Sequence, residues 1–161
     1  MKVDLKIDKK SYHAIASIKS ISSNSKKGIR NAFYKIGVDL KKTAIDHINF
    51  TPKSGRQYIY YHNGKKRIHV ASAPGEPPAN FRGNLRKSVG YKLNGSSYIV
   101  FGAGNSKVKY ARRLELGGSD RTRGGGSSYI APRPFIIRSI NDNERNITQH
   151  FENEISILLK K

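Results

Sequence analysis

The sequence predicts an α+β fold, with a small antiparallel β-sheet packed against two long helices at about residues 25–49 and 135–159. Three observations carry this expectation. Apolar residues recur at helical spacing near both ends of the chain, and short aromatic or β-branched runs separated by turn pairs fill the middle. The helical and strand patterns are segregated rather than alternating, which argues against a parallel βαβ sheet. A length of 161 residues fits one domain over 1–161, with residues 1–24 as an N-terminal extension.

The elements follow in chain order. Tyr12, Ile15, Ile18 and Ile21 recur every third residue, a weak helical pattern over 11–24 that ends in Ser22-Ser23-Asn24-Ser25. Ser25 then serves as N-cap of a longer helix whose apolar face is Ile29, Phe33, Ile36, Leu40, Ala44 and Ile48. Thr51-Pro52 stops it, because the residue before proline disfavours helical angles. Gln57–His62 and Lys65–Val70 flank Asn63-Gly64, the preferred pair for a two-residue type I′ turn, so residues 57–70 form a protruding hairpin. Pro74, Pro77 and Pro78 hold residues 73–79 extended. Residues 81–89 fit a short helix with Leu85 and Val89 inward, and Tyr91–Leu93 pairs with Ser97–Phe101 through Asn94-Gly95-Ser96. Val108–Leu116 suits a two-turn helix ended by Gly117-Gly118. Residues 117–128, with Arg121 and Arg123 among glycines and serines, read as a flexible basic loop. Tyr129–Ala131 is extended, and Pro132-Arg133-Pro134-Phe135 leads into the last helix, whose apolar face is Ile136, Ile140, Ile147, Phe151, Ile155 and Leu158.

Composition narrows the function. The formal net charge is +20, which attracts polyanions at long range. The excess is spread along the chain, and its longest run is Lys65-Lys66-Arg67, shorter than a dedicated basic arm. A basic nucleic-acid-binding protein is therefore one reading, and a subunit that docks on acidic neighbours is another. There is no cysteine, so no disulfide framework or thiolate site is expected. Neither a membrane-length apolar run nor a signal-peptide core occurs, and the expected compartment is the cytoplasm or an assembly built there.

Catalytic constellations are not visible. His62 and His69 bracket the Asn63-Gly64 turn and could face each other, but no carboxylate is placed to orient them. Glu115 follows Arg112 by three residues, which makes an exposed helical ion pair its default role. Gly124-Gly125-Gly126 lacks the Lys-Ser/Thr of a phosphate-binding loop. A small nuclease or toxin is conceivable from the Arg, Lys, Tyr and His content, with no motif in its favour. No enzyme activity, metal or cofactor is expected.

Three segments in order carry a resemblance. They are Ala73-Pro74-Gly75-Glu76-Pro77-Pro78-Ala79 with Gly83-Asn84-Leu85-Arg86-Lys87-Ser88, then Tyr110-Ala111-Arg112-Arg113-Leu114-Glu115-Leu116-Gly117, then Ala131-Pro132-Arg133-Pro134-Phe135-Ile136. Over about residues 30–160 the chain resembles the tail-completion, or head–tail joining, proteins of long-tailed bacteriophages. That family commonly has Thr or Ser where this chain has Arg82, and its minimal pattern has a shorter hairpin than 57–70. The resemblance implies a structural neck protein of the virion, assembled in the host cytoplasm into a homo-oligomeric ring, commonly six-fold. Such a ring joins the head connector or stopper protein to the tail tube or tail terminator, surrounds the genomic DNA and needs no membrane. It points to Pro74, Gly75, Pro77, Pro78, Gly83, Leu85, Arg86, Ser88, Tyr110, Glu115, Gly117, Arg121, Arg123, Arg133, Pro134 and Phe135 as motif or interface residues. On this reading the hairpin and the 117–128 loop lie at contacts between subunits or rings. Gly83 would allow close chain approach, Tyr110 and Phe135 would anchor the core or an interface, and Arg133 could hold a carboxylate across an interface.

Overall fold

A computed structural model describes the backbone of residues 9–121 and 124–159, and the side chains of 20–119, 121 and 124–158. The architecture is α+β, built of helices and small antiparallel sheets. Helix α1 (Lys9–Phe50) is the spine. At 1.5 Å per residue its 42 residues extend about 63 Å. The Ser22–Ser25 cluster does not break it. Ser23 Oγ donates to the Ser20 carbonyl (3.0 Å) and Ser25 Oγ to the Ile21 carbonyl (2.8 Å), so these hydroxyls bond back into the preceding turn instead of capping a new helix.

The buried stripe of α1 is Ala32, Ile36, Leu40, Ala44 and Ile48. It shifts from the expected face at one end, where Ala32 is inward while Ile29 is exposed. The core continues with Leu85, Val89, Val108, Ala111 and Phe135. Phe135 is fully buried and closes the core from the far end of the chain.

Three separate two-stranded hairpins replace the single small sheet expected. β1 (Gln57–His62) and β2 (Lys65–Val70) pair from Gln57↔Val70 to His62↔Lys65. Their turn holds Asn63 and Gly64 at φ 50° and 72°, the left-handed geometry that this pair tolerates. β3 (Val89–Asn94) and β4 (Tyr98–Ala103) form the hairpin that packs on α1. There Gly37 of α1 lies under the Tyr91 ring, and a Cβ at Gly37 would come within 2.4 Å of that ring. β5 (Gly118–Arg121) and β6 (Ser127–Ile130) form the third hairpin. The 117–128 segment read as a flexible loop is therefore strand-paired at its ends, Gly118–Arg121 against Ser127–Ile130. Backbone pairing overrides its glycine-rich composition, and its tip includes residues outside the description.

Between these hairpins lie α2 (Asn84–Ser88) and α3 (Ala111–Leu116). The last helical stretch is divided into α4 (Ile136–Asp142) and α5 (Glu144–Leu159). The break falls at buried Asn143, whose Nδ2 donates to Thr43 Oγ1 (2.8 Å) on α1 and to the Ser139 carbonyl (2.9 Å). The expected single helix over 135–159 thus contains a turn fixed by one polar side chain. α5 runs antiparallel to α1. Contacts pair Phe33 with Phe151, Lys35 with Glu154 and Asp39 with His150.

Candidate functional site

The three motif segments, far apart in sequence, meet at one junction. Residues 72–78, the end of α3 and residues 131–137 bond to one another through main-chain groups and two charged side chains. The Gly75 N–H donates to the Pro132 carbonyl (2.8 Å), and the Arg133 N–H donates to the Leu114 carbonyl (2.6 Å). Pro77 and Pro78 are buried, and Pro74 is exposed. Gly117 takes φ 73°, and a Cβ there would meet the Pro132 ring at 2.8 Å, so glycine is required twice over.

Glu115 is the centre of the junction. Its Oε2 accepts from the Phe135 and Ile136 N–H groups and its Oε1 from Ile137, each at 2.9 Å. These are orphan donors of the first turn of α4, and a carboxylate there complements the helix dipole. The exposed Arg112 pair expected for Glu115 is therefore replaced by a long-range cap. A signal for it exists in the sequence. Pro134-Phe135-Ile136 opens a helix with no Ser, Thr, Asp or Asn at the cap position, so an acceptor has to come from elsewhere.

Arg133 makes the complementary contact. Its Nε and Nη2 donate to the Ser72 carbonyl (3.2 and 3.1 Å) and its Nη1 to the Ala131 carbonyl (3.2 Å). The fork holds its own chain's backbone. Glu76 closes the 73–76 turn, accepting from the Ala73 N–H (2.8 Å), the Ser54 N–H (3.1 Å) and the Ser54 hydroxyl. The Ser54 hydroxyl first, then the Ala73 and Ser54 N–H groups, lower its pKa to about 2. Burial pushes neighbouring Lys53 down, while Glu76 acts to raise it and Arg138 to lower it.

The remaining motif residues lie in or beside the core. Gly83 precedes α2 at φ 75° without a side-chain cap, so backbone freedom takes the place of the usual hydroxyl. Leu85 is core, and Ser88 Oγ donates to the Leu85 carbonyl (2.7 Å) while accepting from the Gly104 N–H (3.1 Å). Arg86 is exposed with its guanidinium over Gly83. Pro134 is half-buried beside Phe135. Tyr110, read as a core or interface anchor, is 43% exposed and borders a cleft of about 150 Å³ with Phe81, Gly83 and Leu85. Arg121 is exposed on β5, and Arg123 lies outside the described residues. His62 and His69 do not face each other. The register places Lys65 opposite His62 and Tyr58 opposite His69.

Two apolar surfaces were not legible as such in the sequence. On the hairpin, Ile59, Tyr61 and Ile68 are 59%, 71% and 61% exposed. Between α1, α5 and the β3–β4 turn runs a groove of about 740 Å³ lined by Ile21, Ile29, Phe33, Phe151, Ile155 and Leu158. Comparison of the chain with protein-family models, with curated proteins and with solved structures gives no match.

Proposed function

We propose that this protein is a structural assembly subunit of a phage neck. It forms a homo-oligomeric ring, six-fold as the resemblance implies, that joins the head connector or stopper to the tail tube or tail terminator and surrounds the passing DNA. Its work is binding and positioning, with no catalytic step. The observation that carries the proposal is the open apolar face of the β1–β2 hairpin. Ile59, Tyr61 and Ile68 lie side by side in the register and in water, on a strand pair whose outer edges are unpaired in the sheet. Such a surface fits the burial that a protein neighbour supplies. The junction of Glu115, Arg133 and Gly75 supports the same reading. It holds the motif segments rigid before any partner arrives, which lowers the ordering cost of assembly.

The test is location together with assembly. Gold-labelled antibody on particles made in cells carrying the gene is expected at the head–tail junction, and label absent from that position refutes the proposal. The pair Ile59→Ser and Ile68→Ser should leave a folded subunit but yield unjoined heads and tails. Normal particles from that variant would show that the hairpin face is not the contact.

A further inference from the structure

The β1–β2 register sorts the hairpin's side chains onto two faces of different chemistry. Ile59, Tyr61, Ile68 and Val70 share one face with Gln57 and Lys66 at its two ends, so this face is mainly apolar. Tyr58, Tyr60 and His62 share the other with Lys65, Arg67 and His69. The chain leading into α2 adds two more groups to this second face. The Phe81 ring meets Tyr60 edge-on at 5.0 Å and His69 at 4.7 Å, and Arg82 lies over Phe81 at 5.4 Å. Arg56 lies over Tyr58 at 5.4 Å. Tyr58 and Phe81 remain about half-exposed, and Tyr60, His62, Phe81 and Arg82 border an open cleft of about 530 Å³, with Tyr61 of the other face at its rim. Between Asp46 and Glu115 the sole carboxylate is Glu76, whose oxygens are engaged by Ser54 and Ala73.

We propose that this aromatic and cationic face binds single-stranded nucleic acid. Arg56, Lys65, Arg67 and Arg82 supply positive charge and form no ion pair among the described residues, which suits a phosphate backbone. Tyr58 and Phe81 are about half-exposed with a guanidinium over each ring, so unpaired bases stack on the part of the ring that the arginine leaves open, and stacking of this kind is tolerant of sequence. A duplex hides its base faces and can use the cations alone. An acidic protein segment likewise has no bases to stack. The combination of rings and cations therefore selects the single strand over both. This inference does not rest on the neck reading. A ring-forming protein with no affinity for single strands refutes it and leaves that reading standing.

The test is fluorescence anisotropy on the full chain, with a labelled oligothymidylate and a duplex of equal length as probes. Single-strand binding should be at least about tenfold tighter than duplex binding. Phe81→Ala and Tyr58→Ala should each weaken it at least about fivefold, the low end expected for losing one stacked base. Arg56→Gln together with Arg82→Gln should lower the slope of log affinity against log salt by about 1.4, at about 0.7 per phosphate contact. Val100→Thr, on the exposed side of β4 and outside the β1–β2 hairpin, should leave single-strand affinity unchanged. Equal affinity for strand and duplex overturns the proposal, as does unaltered binding in both aromatic variants or a loss in Val100→Thr equal to theirs. Those outcomes would assign the face to a polyanion recognised by charge alone.

Discussion

Replacing Glu115 tests whether the motif junction is a stability element of the fold. Its carboxylate accepts three main-chain N–H bonds at 2.9 Å, and two of the donors, Phe135 and Ile136, are partly buried. Glu115→Ala leaves those two without a protein partner, while the exposed Ile137 N–H recovers a water. At about 1–2 kcal/mol for each partly buried donor the loss is about 2–4 kcal/mol, with a few tenths more from the helix dipole. Glu115→Gln is the informative control. Its amide oxygen can occupy the Oε2 position and keep the two partly buried bonds, so its cost is about 1 kcal/mol. Urea unfolding followed by circular dichroism reads both. The midpoint should fall in the order wild type, Gln, Ala, with an unchanged slope. A Gln variant as unstable as the Ala variant, or an Ala variant within about 0.5 kcal/mol of wild type, refutes the capping argument.

Two further outcomes follow from the packing and the charges. Gly37→Ala drives a methyl into the Tyr91 ring and should cost about 1–3 kcal/mol in thermal or urea unfolding, with Gly37→Ala/Tyr91→Leu recovering part of the loss; a neutral Gly37→Ala would show that the β3–β4 hairpin is free to shift. Glu76 has its pKa lowered from 4.5 to about 2 in the folded protein, so its ionised form stabilises the fold: the contribution is complete above about pH 4.5 and fades as pH falls toward 2. The stability difference between wild type and Glu76→Gln should shrink across that window, and a difference independent of pH would contradict the assigned bonds to Ser54 and Ala73.

Much of the fold was legible because it is locally encoded. The Asn63-Gly64 turn and the stop at Thr51-Pro52 each rest on backbone preferences of a few adjacent residues, and each is found, while the helix expected over 81–89 is found shortened to Asn84–Ser88. What local reasoning missed depends on partners distant in sequence. The Ser22–Ser25 cluster looks like a helix end, yet its hydroxyls turn back onto carbonyls of the same helix. Asn143 looks like one polar residue in an amphipathic helix, and its break depends on Thr43, a hundred positions earlier. The glycines of 117–128 signal flexibility, and pairing of Ser119 with Tyr129 and Arg121 with Ser127 organises them. For the candidate site, the sequence offered the motif residues as three segments in order, but their mutual contacts were not readable in it. Arg133 and Glu115 find main-chain partners within the chain, and the apolar surfaces left open are the β1–β2 hairpin face and the α1–α5 groove.

The fully buried Phe135 also sets the order in which the molecule can be completed. It packs with Ala44 and Ile48 of the first helix, yet it leaves the ribosome 87 residues after Ile48. At about 5–20 residues per second that interval is about 4–17 s. During it the apolar stripe of a 42-residue helix waits without the ring that seals it, and the capped turn of α4 does not yet exist. The nascent chain thus exposes a long sticky helix until its C-terminal third emerges. Co-expression of a chaperone that shields apolar helices during that interval should raise the protein's soluble yield.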